Sequence, residues 1–471
     1  MSLVNAIVAN LMPSLAGALV MMCLLGRPFS VNRWGFALGS GFFLGVGLTA
    51  LANWLSQWTA WPDSPLPAAL LLLLVTWAAG FTLLRIAPDA APDEQRPANA
   101  GVTAGILWWV LLVAMLLNGF LLAGEALTRP MYPWDAWSAW SVKAKVWIEL
   151  GQNVDFVSFN QWLASSDPTQ FTNEAWSYPE VIPRYQLWVI QWVGSWDDQL
   201  ALTPWLFAAA AMMLAVYHLL RLLQVDPLGA MCVTFLIAAI PILNVQVALA
   251  GLVDLWIAAL LLVFCACVLL WLQQSRQRWI VAALTFLAIA AATKLEGLVW
   301  AVICLPVILV ASQQRTVLRV LLVATPVAVI AWWLAGGFSF QLAGMAFVVT
   351  PSEIAIPYLG RYVFTFSNQL GAFVRSFLSL PNWHLTWYLL IPAIAWAVYR
   401  SRFSAMGRGL AGFAVVSLAF LFFLFFMTQA GIWAESMTAS NRLALQFVPA
   451  CIMWAGLLIL RDLDQSARPQ P

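Results

Sequence analysis

The chain has 471 residues, of which 63% are hydrophobic and 9% charged, against roughly 25% charged in an ordinary soluble protein. That composition excludes a soluble globular enzyme, a disordered hub and a nucleic-acid binder. The net charge of +2 leaves no bulk attraction to any partner, so the reading is an all-α, polytopic membrane protein.

A bilayer core of about 30 Å needs about 20 apolar residues in a helix. Segments of that kind lie at 3–25, 34–55, 66–87, 102–124, 200–223, 228–249, 252–272, 278–293, 296–312, 317–335, 384–400, 409–429 and 444–460, which predicts thirteen spans. The first has no basic residues before it and reads as a transmembrane helix, not a cleaved signal peptide. The run 181–195 is shorter and predicts a helix lying in the membrane interface. The six cysteines fall inside apolar runs without a C-x-x-C pair, as small core residues do.

Charge distribution sets an orientation. Connections after odd-numbered segments hold 14 of the 22 basic residues, among them Arg27, Arg33, Arg276, Arg278, Arg400, Arg402 and Arg461. The opposite side holds 14 of the 20 acids. Positive-inside bias then predicts an outer N-terminus and a cytoplasmic C-terminus. Three longer pieces, 125–199, 336–383 and 430–443, fall on the outer side, where loops held by helices are expected to carry the chemistry. A polar Pro/Ala/Asp stretch at 88–99 falls inside.

In the first outer piece, residues 131–150 have helical periodicity. Trp137, Trp140, Ala144, Trp147 and Ile148 share one arc of about 100°, opposite Asp135, Ser138, Lys145 and Glu149. The prediction is an interfacial amphipathic helix, aromatic face toward lipid, ended by Gly151. Asp135 has two readings: a helix N-cap after Pro133, or a carboxylate between Trp134 and Trp137 that takes a proton from a hydroxyl nucleophile. Lys143 and Lys145 either neutralise phosphate or snorkel from the helix. Tyr178 opens a second such helix, in which Tyr185, Trp188 and Trp192 form the aromatic underside and Glu180 and Arg184 are spaced to pair.

Charges recur at outer helix ends. Asp254 follows Gly251-Leu-Val, Lys294 and Glu296 sit in Thr-Lys-Leu-Glu-Gly, and Arg442 stands before the last span. Each is costly near the apolar core without a partner or a task. On a helix, Lys294 and Glu296 cannot face each other at a spacing of two. One reading is a structural ion-pair network. The other is a pocket in which Lys294 and Arg442 bind phosphate while the acids orient them or sugar hydroxyls. His384, at the outer end of its helix, either joins this pocket or is a hydrogen-bonded structural residue.

At these residues the sequence resembles the polytopic GT-C glycosyltransferases, especially bacterial relatives of the protein-mannosyltransferase and lipid A aminoarabinose transferase branch. The matching pieces are Pro133-Trp-Asp-Ala-Trp, Tyr178-Pro-Glu-Val-Ile-Pro, Gly251-Leu-Val-Asp-Leu, Thr293-Lys-Leu-Glu-Gly and Asn441-Arg-Leu with Pro449. Their span is roughly 102–460.

The resemblance implies a transferase of the cell envelope that takes a sugar from a polyprenyl-phosphate donor to a hydroxyl of a glycan, lipid or protein acceptor. Transfer is at the outer face, with inversion. Asp135 matches the family's catalytic acid, Asp254 a second acid at a helix end, and Lys294 and Arg442 the basic positions near the donor phosphate. Trp134, Trp137, Lys143, Tyr178, Arg184, Glu296 and His384 complete the expected donor and acceptor pocket.

Here the acid follows the fourth helix, not the first, so 1–99 reads as an added three-helix unit. Residues 100–335 then form the catalytic membrane module with outer loop 125–199, and 336–471 the second outer loop with three final spans. Segment 336–383, with Ser352, Glu353, Arg361 and Arg375, is the expected lid or acceptor-side wall. The loop has no D-x-D, and a lone carboxylate is a poor site for a divalent cation, so no cofactor is expected. The alternative function is a transporter or flippase for lipid-linked or amphipathic cargo, although no inverted repeat is visible.

Overall fold

The computed structural model describes residues 2–57, 64–86, 102–312, 327, 330–342, 345–357 and 360–467. The described residues are mostly helical. Where water does not reach the backbone, a helix satisfies each peptide N–H and C=O within its own segment. The chain divides into two compact units, Met1–Gly297 and Leu298–Pro471. The stretch 88–99 and most of 317–335 lie outside the described residues.

The first unit contains α1 (Ser2–Leu25), α2 (Val31–Ser56), α3 (Leu66–Arg85), α4 (Val102–Thr128), α5 (Ser141–Leu150), α6 (Phe159–Ala164), α7 (Val181–Val193), α8 (Thr203–Leu222), α9 (Pro227–Ala238), α10 (Pro241–Ala248), α11 (Asp254–Gln274) and α12 (Arg278–Ala291). After it come α13 (Leu295–Ile303), across the boundary, and α14 (Leu305–Ala311).

Among the described residues, eight helices are long and apolar enough to cross a membrane: α1 to α4, Leu200–Leu222, α11, Ala405–Met427 and Ala439–Asp464. The pair α9 and α10 makes a ninth if its 65° bend is one broken span. Pro241 explains the bend, since proline removes a helical N–H and pushes Ile240 before it into an extended conformation. The other predicted spans are shorter. Helix α12 has 14 residues and Thr386–Ser401 has 16. The run 296–312 breaks into α13 and α14, with Pro306 in the first turn of α14.

Small residues let α1, α2 and α8 approach closely. A Cβ on Gly17 would lie 1.9 Å from the Gly41 carbonyl oxygen, and one on Gly39 would lie 2.5 Å from that of Ala211. Helix α7 packs on α1, α2 and α5. The Tyr185 hydroxyl donates to Asn10 Oδ1 (3.1 Å) and the Trp188 indole to the Ala9 carbonyl (2.8 Å). Residues Ile182–Ile190 are all buried.

This corrects the expectation that the aromatic faces of the outer-loop helices meet lipid. Trp140, Trp147, Tyr185 and Trp188 are covered by protein, because amphipathic spacing shows which face is apolar but not what lies against it. On α5, Ala144 and Trp147 are buried with Val154 and Leu187, and Phe156, Phe171 and Trp196 pack against them.

The second unit holds a four-stranded antiparallel sheet that the all-α reading does not contain. Strands β1 (Phe338–Leu342), β2 (Met345–Val349), β3 (Glu353–Ile356) and β4 (Gly360–Val363) pair in chain order, with Phe340 opposite Phe347. A further bridge joins Phe364 to Thr428, at the end of helix Ala405–Met427.

Candidate functional site

Four of the five matching sequence segments meet within the first unit. The first begins with Ala136 N–H donating to the Pro133 carbonyl (3.0 Å). Residues Ala136–Trp140 form a π-helical turn, closed by Ser141 N–H on the Ala136 carbonyl. A π-turn inserts one residue, and so rotates the residues on its N-terminal side by about 100° relative to those on its C-terminal side. The result is a division that a regular helical wheel does not foresee. Trp140 and Trp147 are buried, whereas Trp137 is 46% exposed and meets exposed Trp134 edge to face at 4.5 Å. The Asn173 amide donates to two carbonyls of this turn, those of Ser138 and Ala139 (3.2 and 3.1 Å).

Asp135 lies at the start of this turn, half-buried, with helical φ −58° and ψ −31°. Its side chain makes no capping hydrogen bond, so the N-cap reading is not the observed geometry.

Lys143 is one turn further along and is 1% exposed, which excludes snorkelling. Its ammonium donates to the carbonyls of Trp176 (3.0 Å) and Tyr178 (3.2 Å) and lies 3.5 Å from Glu180. Glu180 also takes Arg184 at 2.5 Å, the pairing that the spacing predicts. With the Gln57 amide oriented so that its oxygen faces Arg184, that oxygen accepts from both terminal nitrogens of the guanidinium (2.6 and 2.5 Å), which lies 5.0 Å over the Trp147 ring. The Tyr178 ring packs on Trp140 at 5.2 Å. Burial pushes Lys143 below the usual lysine range, with Glu180 opposing, and it lowers Arg184 in the same way. Lys145 is exposed, 5.9 Å from the Trp196 ring.

The second segment reaches the third through Val181 N–H, which donates to the Ala292 carbonyl (3.4 Å). Just beyond it, the Lys294 ammonium lies 2.8 Å from Asp254 Oδ1 and 3.0 Å from Glu296 Oε1. The expectation that Lys294 and Glu296 do not face each other is therefore corrected. Lys294 lies in the break between α12 and α13, not on a helix, so the helical spacing rule does not apply to it.

Asp254 is fully buried as the first residue of α11, where the helix dipole favours a negative charge. Glu296 is 27% exposed, and its Oε2 is shielded without a hydrogen-bond partner among the described residues.

The fourth segment closes the ring. Gly251 has φ +113°, and a Cβ there would lie 2.3 Å from the Ala136 Cβ, next to Asp135. The Trp205 indole holds the same turn by donating to the Leu252 carbonyl (2.7 Å).

Two charge clusters of opposite balance result. Asp254 and Glu296 surround one cation, and Lys143 and Arg184 share one carboxylate. The first can offer a carboxylate to a substrate hydroxyl, and the second fixes the loop by satisfying buried donors.

The fifth segment belongs to the second unit. There the Trp383 indole donates to Asn441 Oδ1 (2.6 Å), which links the exposed His384, at φ +44°, to the helix start that carries half-buried Arg442. Asn173 and Gln57 are contacts the sequence reading does not find, since an isolated polar amide carries no pattern.

No protein-family model matches the chain, and neither a curated protein nor a solved structure is significantly similar to it.

Proposed function

We propose that the chain is a membrane glycosyltransferase of the GT-C kind, moving a sugar from a polyprenyl-phosphate donor to a hydroxyl acceptor with inversion. The observation that carries this reading is the meeting of four charged segments, 133–137, 178–183, 251–255 and 293–297, in one place. The turn that carries Asp135 and exposed Trp134 and Trp137 abuts the turn before Asp254, through Ala136 and Gly251, and a purely structural bundle has no need of charged residues there.

In this reading Asp135 takes the acceptor hydroxyl proton as that oxygen attacks C1. The bond from C1 to the phosphate oxygen breaks, and polyprenyl phosphate leaves as a dianion without a general acid. Lys294 meets the phosphate. Of the two carboxylates on Lys294, partly exposed Glu296 is the one a phosphate displaces, since Asp254 is fully buried. The unpartnered Glu296 oxygen then suits a sugar hydroxyl.

The same reading keeps the thirteen crossings expected from the sequence, of which the eight long helices, the bent pair, α12, α13 with α14 and Thr386–Ser401 lie among the described residues. The N-terminus is outside and the C-terminus cytoplasmic, in an inner or plasma membrane, with the site on the outer (periplasmic or extracellular) face.

The test is incubation of purified protein with a radiolabelled polyprenyl-phosphate sugar. The wild type should release label from the lipid, and Asp135→Asn should lower that rate about 10²–10⁴-fold while extracting and folding normally. Undiminished turnover in Asp135→Asn overturns the assignment.

A further inference from the structure

The second unit carries a groove of about 410 Å³, one wall of which, Thr365 to Gln369, belongs to the expected lid or acceptor-side segment 336–383, although the proposed transfer step gives none of its side chains a role. It lies where the chain leaving β4 runs beside the end of helix Ala405–Met427. Thr365 N–H donates to the Met427 carbonyl (3.1 Å) and Ser367 N–H to that of Phe426 (2.9 Å). The other wall is the short helix Gly431–Glu435. Gly431 makes this approach possible, since a Cβ there would lie 2.4 Å from Ser367 Oγ.

The lining has a specific chemistry. Ser367, Gln369, Thr428, Gln429 and Glu435 bring hydroxyls, amides and one carboxylate, and Trp433 adds an indole that is 49% exposed. Gln369 is itself buried, and its amide is oriented by donating to Ser367 Oγ (3.0 Å) and Glu435 Oε1 (3.4 Å). Among the described residues lining the groove there is no lysine or arginine. Arg361, whose carbonyl accepts from Gln429 (2.9 Å), has its guanidinium on Glu353 (2.5 Å).

An anion meets no lysine or arginine in this lining and faces the Glu435 carboxylate. A neutral pyranose fits: its apolar C–H face lies on an indole, and its hydroxyls both donate and accept, which matches amides and a carboxylate. An interfacial aromatic anchor needs only the indole and leaves buried Gln369 and the concavity without a task.

We propose that this groove binds a neutral sugar ring, stacked on Trp433 and hydrogen-bonded by Gln369, Gln429 and Glu435. Binding requires no donor lipid and no turnover, so it stands or falls apart from the transferase reading.

The experiment is saturation-transfer NMR on the full chain in lipid nanodiscs, with methyl glycosides of neutral hexoses and pentoses as probes. At least one glycoside should receive saturation, strongest on the protons of one ring face. Trp433→Ala, at an exposed position, should weaken that binding about tenfold, and Glu435→Gln should leave the protein folded with reduced binding. A nitroxide on Trp433→Cys should be reached by a water-soluble relaxation agent. The proposal is overturned if no glycoside binds, if Trp433→Ala binds as the wild type does, or if the nitroxide is reached only from lipid.

Discussion

Gly251 and Ala136 lie so close that a Cβ on Gly251 would stand 2.3 Å from that of Ala136. The two residues are far apart in the chain, and their contact sets the turn before Asp254 against the turn after Asp135. Gly251→Ala adds both an impossible contact and a side chain at φ +113°. It should destabilise the protein by about 1–3 kcal/mol and abolish the proposed transfer although Asp135 and Asp254 are intact. Ala136→Gly in the same chain removes the contact but not the backbone strain, so it should restore part of the lost thermal stability in detergent. Full activity in Gly251→Ala would remove this contact from the site.

The buried Asp254–Lys294 pair predicts strong non-additivity. Lys294→Met leaves a fully buried carboxylate without its 2.8 Å partner, a change that costs about 3–5 kcal/mol. Adding Asp254→Asn removes the stranded charge and should recover much of that loss. A double-mutant cycle on unfolding in detergent measures it, and additive effects would show that the pair is not coupled.

Part of this site was legible because charge is expensive in an apolar chain. Asp254, Lys294 and Glu296 stand out for that reason, and Gly251 and Gly151 for their turns. What the sequence does not carry is local irregularity. Lys294 meets Glu296 because the helix breaks between them, and Trp137 leaves the buried face because Ala136–Trp140 form a π-turn. Lys143 resembles a snorkelling lysine until Trp176, Tyr178 and Glu180 are seen to enclose it. The sheet at 338–363 was readable in principle. Phe338-Ser-Phe-Gln-Leu alternates apolar and polar residues with period two, but windows long enough to find membrane helices average such short strands away.

Lys143 predicts a pH dependence of definite sign. Burial holds its folded-state value below the unfolded 10.5, so between the two the unfolded chain binds the extra proton. Stability therefore rises with pH across that window, and the penalty for the buried charge applies in full below it. Glu180, which favours the charged form, and Arg184, which opposes it, are the charged neighbours. Lys143→Met should remove this slope, and at neutral pH it should cost about 1–3 kcal/mol because two part-buried carbonyls lose the lysine donor. Unfolding midpoints of the two proteins from pH 7 to pH 10 test this, and parallel curves would rule out a titrating Lys143.

One side chain from later in the outer loop hydrogen-bonds the π-turn that follows Asp135. Asn173 donates to the carbonyls of Ser138 and Ala139, both within that turn. Asn173→Asp replaces that donor with acceptors facing two carbonyl oxygens, and Asn173→Leu removes it altogether. Each should cost about 1–3 kcal/mol. If the turn relaxes to a regular helix, Trp134, Asp135 and Trp137 rotate relative to the buried Trp140 and Trp147. Trp137, exposed now, would move toward the protein and become protected from oxidative footprinting, and transfer should fall even in chains that remain folded. Unchanged footprinting at Trp137 in both variants would show that the π-turn is held by the helix itself and that Asn173 only adapts to it.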